Sequence, residues 1–166
     1  MAGTLNAFDA AVSIKTIMGT DLPTKLDALD TAYNDSITLD DIAQWYLAPL
    51  ARYDALPCGI IIPSGTQKPD EYRGEVVVFH LIDIHIVHHG NTKTAAYLPQ
   101  ELTSIKLART CRGIQEVLEA NETLTISSTD NADHLLVQGV DFSDTFTDGE
   151  NFRRDALMSV QIIASI

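Results

Sequence analysis

The chain has 166 residues, of which 45% are apolar, enough to bury one sizeable core, so we expect a single domain over residues 1–166. Its 23 acidic residues outnumber 11 basic ones and give a net charge of -12, which repels nucleic acid and anionic membranes and disfavours a DNA- or lipid-binding face. The sequence shows neither a signal-peptide pattern nor a membrane-spanning apolar run, so a soluble intracellular protein is expected.

Residues 1–50 are expected to form a helical amino-terminal part. The first helix, over 4–18, has one narrow polar stripe and is apolar around most of its circumference, so a wide surface must be covered. Gly19 is expected to end this helix, and Pro23 to open a second one that ends near Asn34.

A third, short helix is predicted within residues 36–49. It starts at Thr38, is followed by two aspartates that favour a helix amino terminus, carries Trp45 and stops at Pro49.

From residue 56 onward the pattern changes from helix to strand. Residues 58–62 form a short apolar strand that Pro63 is expected to end, and residues 64–74 form a polar loop. The two cysteines, Cys58 and Cys111, are expected to be small buried thiols and not a disulfide.

Residues 75–89 are the strongest predicted strand, since they are β-branched and apolar. Alternate residues separate into two faces. The face expected to point to the core consists of Val76, Val78, His80, Ile82, Ile84 and Ile86. The other face is apolar near its start, at Val77, Phe79 and Leu81, and polar toward its end, which predicts a partner over its first half.

The last third of the chain predicts a long helix and two strands. Pro99 opens a helix of roughly twenty residues whose buried stripe is Leu107, Cys111, Ile114 and Leu118. Strands follow at about 133–142 and 156–166, so residues 56–166 combine a sheet with the long helix. The last strand places Ala156, Met158, Val160, Ile162, Ala164 and Ile166 on one face. This order predicts an α+β fold with an antiparallel or mixed sheet of four to five strands and helices packed mainly on one face.

A histidine-rich stretch is the first candidate for chemistry, because imidazole and carboxylate are zinc and iron ligands. His80 and His88 share a face of the strand but lie roughly 26 Å apart at the usual rise. Asp83, His85 and His89 share the other face, where neighbouring side chains make at best a two-ligand site. We therefore expect solvated histidines and no metal, with a small metal-dependent enzyme using these three residues as the alternative.

Other catalytic and binding motifs are missing from the sequence. It contains no Gly-x-Ser-x-Gly elbow and no glycine-rich phosphate loop, so no catalytic residue and no cofactor are predicted. Lys106, Arg109 and Arg112 recur at a spacing of three, but Glu116 and Glu119 share their side of the helix and favour local ion pairs over a phosphate site.

Two loops contain arginines and aromatic residues, which are the types that anchor protein interfaces; a disordered polar loop is the alternative. We expect the loops over 63–75 and 142–155 to be directed at neighbouring subunits. The candidate interface residues are Lys68, Tyr72, Arg73, Val77, Phe79, Phe146, Phe152, Arg153 and Arg154.

Several segments carry a resemblance to a known family: LPTKLDAL at 22–29, LP at 56–57 leading into CGIII at 58–62, the long strand 75–89, LEANETL at 118–124 and RDA at 154–156. In these places and in the order of its elements, the chain resembles the tail terminator and related neck proteins of long-tailed bacterial and archaeal viruses. The likeness covers roughly residues 22–166.

The resemblance implies a structural subunit, assembled in the host cytoplasm, that forms a hexameric ring on the tail tube protein and joins the virion tail to a head connector or adaptor protein. DNA would pass through the ring without specific binding, which suits an acidic wall. The alternatives are another neck component, such as a head-completion or adaptor protein, the metal-dependent enzyme described above, and a monomeric cytosolic binding module.

Overall fold

A computed structural model describes residues 6–49, 53–67, 77–124 and 134–165. Over these residues the chain forms two helices and six strands, which confirms the expected α+β fold with a mixed sheet. In chain order they are α1 (Ala7–Tyr33), β1 (Gln44–Tyr46), β2 (Cys58–Gln67), β3 (Val77–Gly90), α2 (Pro99–Ala120), β4 (His134–Phe142), β5 (Phe146–Asp148) and β6 (Asn151–Ser165).

The sheet has the strand order β1-β2-β3-β6-β4, and β5 pairs with β6 beside the end of β4. β1 runs parallel to β2, and every other pair is antiparallel. β3 and β6 form the centre, with Val77 opposite Ser165 and Gly90 opposite Phe152. The two three-residue strands, β1 and β5, were not predicted, and they make the sheet larger than expected. The expected loop over 142–155 is wrong for most of its length, because it contains β5 and the first residues of β6.

One face of the sheet carries the core and both helices. The predicted parity of β3 is confirmed for His80, Ile82, Ile84 and Ile86, which are all buried. Val78, predicted on the same face, is half-buried, and Val76 lies outside the described residues. The isoleucines belong to one apolar cluster with the buried residues of α1 and α2, so the helices cover this face, as predicted. The predicted inward face of β6 is confirmed by the burial of Ala156, Met158, Val160, Ile162 and Ala164.

The first two predicted helices are one helix, so the expected break at Gly19 and Pro23 is wrong. Asn6 caps α1, since its side chain accepts a hydrogen bond from the Asp9 amide at 2.9 Å. The buried residues of α1 recur every three or four positions from Ala11 to Leu29 without interruption. Packing of this continuous stripe outweighs the local preferences of glycine and proline.

The predicted third helix is also wrong, because its central residues form β1. Trp45 lies opposite Gly59 in the parallel β1–β2 pair and is buried in the core. Burial of this large side chain against a residue without a Cβ favours the extended conformation over the helix that the preceding aspartates suggest.

Strand β2 continues four residues past Pro63, contrary to the expected stop. β1 covers only Cys58, Gly59 and Ile60, so Pro63 lies where β2 has an open edge among the described residues. Proline is tolerated on an edge strand because its missing N–H can face the open side. The pairing with β3 shifts register between Pro63 and Gly65.

Helix α2 begins at Pro99 and buries all four residues of the predicted stripe. It approaches α1 closely at Gly113, where an added Cβ would lie 3.0 Å from Leu26 Cδ2. Asn121 Nδ2 donates to an Asp21 carboxylate oxygen at 3.4 Å, and Arg112 donates to the Tyr33 hydroxyl at 3.1 Å, so the two helices run antiparallel.

The basic residues of α2 form ion pairs, but the predicted local pairing within the helix is confirmed only for Arg112. Arg112 pairs with Glu116 at 2.9 Å, while Lys106 binds Asp40 at 2.8 Å and Arg109 binds Asp35 through both guanidinium Nη atoms. The hydrogen bond from Arg109 lowers the pKa of the Asp35 carboxyl. The pairs of Lys106 and Arg109 hold the connection between α1 and β1 against α2.

Candidate interface surfaces

The first exposed surface is the α1 stripe, which we define as two apolar residues, Phe8 and Val12, together with Lys15. Residues at positions i, i+4 and i+7 lie on one side of a helix. Phe8 is 54% exposed and Val12 is 39% exposed, although both belong to a helix whose opposite side is fully buried. Lys15 makes no ion pair with any residue that the structure describes, so its charge is available to a partner.

The α1 stripe lies at one corner of the molecule. α1 packs over β1, β2 and β3, whereas α2 packs over β3, β6 and β4, so α1 is on the β2 side of the sheet. The antiparallel arrangement of the helices carries the first turns of α1 beyond the carboxyl end of α2. Thr110 of α2 contacts His88, so the beginning of α2 lies over the Gly90 end of β3. Because α1 is antiparallel to α2, the α1 stripe lies toward the opposite end of β3, at Val77.

The second exposed surface is the β4–β5 corner, which we define as Phe142, Asp144 and Phe146. Both phenylalanines are 43% exposed, and Asp144 lies in the short connection between their strands. Phe142 pairs with Ala156 and Phe146 pairs with Arg153 on β6. Because those residues lie opposite Ile86 and His89 of β3, this corner is at the Gly90 end of the sheet.

Arg153 organises the outer side of this corner, away from the helices. Its guanidinium donates to both Asp155 carboxylate oxygens, at 3.0 and 2.9 Å. It also lies 4.7 Å from the centroid of the Tyr53 ring and 5.1 Å from that of Phe146. The Asp155 carboxylate raises the pKa of Arg153, so the cation is held in place and Phe146 is presented on a fixed support.

Arg154 supports the helix side of the same corner. Its Nε donates to the Ser143 carbonyl at 2.8 Å, and its guanidinium lies 5.6 Å from the centroid of the Phe142 ring. The Ser143 hydroxyl accepts from the Asp155 amide at 2.9 Å. The hairpin of β5 and β6 turns at Gly149, whose φ of 64° favours glycine. These contacts order the exposed corner.

Both long edges of the sheet are interrupted over the described residues. β2 is open after Ile60, and β4 pairs only with β6. The ladder shifts register next to Pro63 in β2 and between Val137 and Gly139 in β4. Proline and bulges on edge strands hinder pairing with the edge of another chain.

The structure brings together four predicted interface residues at one place: Phe146, Phe152, Arg153 and Arg154 all belong to the β5–β6 hairpin. Val77 and Phe79 lie at the other end of β3, on the face away from the helices, where Val77 is already buried by its own chain at 3% exposure. Lys68, Tyr72 and Arg73 lie outside the described residues.

The histidines of β3 are divided between the two faces, as the sequence predicted. The expectation that they are solvated is wrong for His88, which is 1% exposed. On the helix side, His80 Nδ1 is 3.2 Å from the Thr66 hydroxyl, and His88 Nε2 is 3.3 Å from the Thr110 hydroxyl. On the other side, Asp83 and His85 are half-buried. Within the described ranges, no group of three or more His, Cys, Asp or Glu side chains is placed to hold a metal ion.

Both cysteines are free and buried, as expected. Burial raises the pKa of Cys58 to about 11 and that of Cys111 to about 12, so both thiols stay protonated near neutral pH. In the part of the chain that the structure describes, no helix is both long and apolar enough to span a bilayer.

Of the six residues that define the two surfaces, only Phe146 belongs to the predicted interface set. The other five were not predicted as interface residues: Phe8, Val12, Lys15, Phe142 and Asp144. The available signal was the position of Asp144 between two aromatic residues at 142 and 146, and the recurrence of 8, 12 and 15 on one side of a helix.

Comparisons with known proteins find similarity among solved structures only. No protein family and no curated protein matches the sequence. Among solved structures, a chain from the virion of a native gene transfer agent particle is similar over 87% of this chain and 92% of that chain, with 10% identity and a TM-score of 0.39. A TM-score of this size does not establish a common fold.

Proposed function

We propose that this chain is a non-enzymatic structural subunit of a virus particle, which forms a ring at the neck, caps the tail tube and joins it to the head connector. One observation carries the proposal: the chain exposes two different apolar surfaces, the α1 stripe and the β4–β5 corner, at diagonally opposite corners of one sheet. A contact between two different surfaces repeats from copy to copy and closes into a ring when the rotation allows it.

Exposure of this kind supports assembly more than a monomeric role. Phe8 is more than half exposed, and Phe142 and Phe146 each expose over two-fifths of their surface. Aromatic residues and arginine are enriched at protein interfaces and among the residues that contribute most to binding. A subunit that is buried between neighbours in a ring would cover both surfaces.

The charge distribution supports a ring around DNA. Most of the described basic side chains are engaged within the chain, such as Lys106 with Asp40 and Arg109 with Asp35, so the net charge of -12 is expressed on the surface. A negative wall repels phosphate and lets DNA pass without being bound. The resemblance to tail terminator proteins in the segments at 22–29, 56–62 and 154–156 supports the position at the neck.

Light scattering on the purified protein across a concentration series, together with negative-stain electron microscopy, tests the proposal. We expect a mass of about six subunits at high concentration and ring-shaped particles with a central hole. A protein that stays monomeric up to the highest soluble concentration, and remains so when the tail tube protein is added, would overturn the proposal.

A further inference from the structure

Building on the proposed ring, we propose that the α1 stripe of one copy docks onto the β4–β5 corner of the next copy, with Lys15 beside Asp144. The occupant of each surface is therefore a second copy of this chain. Three observations lead to this pairing: the chemistry of the two surfaces, their placement in the fold and the interruption of the sheet edges.

The two surfaces are complementary in charge. Each has an apolar part. The α1 stripe has Phe8 with Val12, and the β4–β5 corner has Phe142 on the helix side of the sheet edge and Phe146 on its outer side. Each also carries one charge without an ion-pair partner among the described residues, a cation at Lys15 and an anion at Asp144. Opposite charges beside apolar contacts favour one register and steer the approach of the partners.

Charge also argues against each surface pairing with its own copy. Two α1 stripes face to face would bring Lys15 against Lys15, and two β4–β5 corners would bring Asp144 against Asp144. Like charges in a contact are unfavourable, which disfavours an isologous dimer and favours the head-to-tail arrangement.

Placement makes the contact intermolecular. The α1 stripe lies on the β2 side at the Val77 end, and the β4–β5 corner lies beside β6 at the Gly90 end. The fourteen-residue strand β3 extends for roughly 45 Å at the usual rise, so the two surfaces of one chain cannot meet.

The edges of the sheet disfavour strand pairing between copies, so the contact between copies is made by side chains. Pro63 with the neighbouring register shift interrupts β2, and the shift after Val137 interrupts β4. Both features oppose the addition of a further strand, so the next copy is held by protruding side chains and not by extension of the sheet.

A mixing experiment tests the pairing. Phe8→Asp disables the α1 stripe and Phe146→Asp disables the corner, and both positions are exposed, so each variant is expected to fold and to assemble at least tenfold more weakly than the unaltered protein. Mixed together, they keep one intact surface of each kind and should form a one-to-one dimer that cannot grow. Melting curves of both variants verify that they fold.

Charge reversal gives a second test. Lys15→Glu and Asp144→Lys should each weaken assembly several-fold, and the double variant, with the charges exchanged, should recover most of the loss. Lys93→Glu and Asp27→Lys, two exposed positions outside both surfaces, are the matched controls and should assemble like the unaltered protein.

The outcomes separate this inference from the proposed function. Rings that form in Phe8→Asp and Phe146→Asp as readily as in the unaltered protein would overturn the docking pair and leave the ring intact. No dimer in the mixture, or no recovery in the exchanged double variant, would also overturn the pair. An unaltered protein that never assembles would overturn the proposed function itself.

Discussion

The six-membered ring of Trp45 occupies the space where a side chain of Gly59 would stand. A Cβ on Gly59 would lie 2.1 Å from Cζ3 and 2.2 Å from Cε3 of the indole. The two residues are register partners in the parallel β1–β2 pair, so the absence of a side chain at 59 lets Trp45 close the edge of the core.

Gly59→Ala is therefore expected to destabilise the protein by about 1–3 kcal/mol, because the indole or the strand must move to admit the methyl group. Gly139→Ala is the matched control, since a Cβ there would meet nothing within 4 Å. Urea unfolding of both variants measures the difference. Equal midpoints would contradict the packing described for Trp45.

Val160→Asp is expected to abolish cooperative folding. Val160 is 1% exposed, lies between Ile82 and Val137 in the sheet and faces the core beneath α2. A charge placed there without a partner is strongly unfavourable. Gln161→Glu, which puts a charge on the other face of the same strand, should melt nearly like the unaltered protein. A cooperative melting transition of Val160→Asp would mean that the face is misassigned.

His80→Leu is expected to leave folding and assembly largely intact. His80 is 4% exposed and lies within hydrogen-bonding distance of the Thr66 hydroxyl. Thr66 is exposed, so its hydroxyl can form a hydrogen bond with water when the imidazole is removed. Loss of the hydrogen bond to Thr66 costs about 1 kcal/mol, and burial of the leucine side chain offsets part of that cost. Thermal melting and metal analysis of both proteins provide the check: loss of a bound metal in the variant would refute this view of His80.

His88 is expected to make stability depend on pH. It is 1% exposed between β3 and α2, and burial lowers its pKa from 6.5 to about 4 despite the nearby Asp40 carboxylate. The unfolded chain takes up the proton first, so the stabilising contribution is complete above about pH 6.5 and is lost as the pH falls toward 4. The loss is on the order of 3 kcal/mol.

Urea unfolding between pH 4 and 7 tests this dependence. His88→Gln should flatten the pH dependence in this range, because it removes the buried titrating group. His85→Gln, on the opposite face of β3, should keep the slope, because His88 is still present. An unchanged slope in His88→Gln would show that another group is responsible.

The elements with strong periodicity could be predicted from the sequence. α2, β3 and β6 each carry a buried pattern that repeats over most of their length, and the structure reproduces the predicted faces, including the burial of His80 and Cys111. Burial of one face determines the conformation of these segments, so the spacing of their apolar residues is sufficient to predict helix or strand.

The sequence-based predictions were wrong where contacts between distant residues determine the local conformation. Gly19 and Pro23 are local helix breakers, but the stripe from Ala11 to Leu29 packs as one surface on the sheet and on α2. Residues 44–46 form β1 because Trp45 fits over Gly59, a partner that is fourteen residues away. The pattern of a short segment does not show which distant residues it will contact.

The interface surfaces could be predicted only in part. The wide apolar circumference of the first helix was visible, since Phe8 and Val12 lie outside its buried stripe. The role of Phe142 depends on the β4–β6 register and on the support of Arg154, neither of which the sequence spacing shows.

Electron microscopy of virus particles labelled with an antibody against this chain tests the neck assignment most directly. We expect the label to lie at the junction of head and tail, on a ring of about six subunits around the channel. Label distributed along the tail or over the head, or particles that carry none of the chain, would contradict a subunit of the neck.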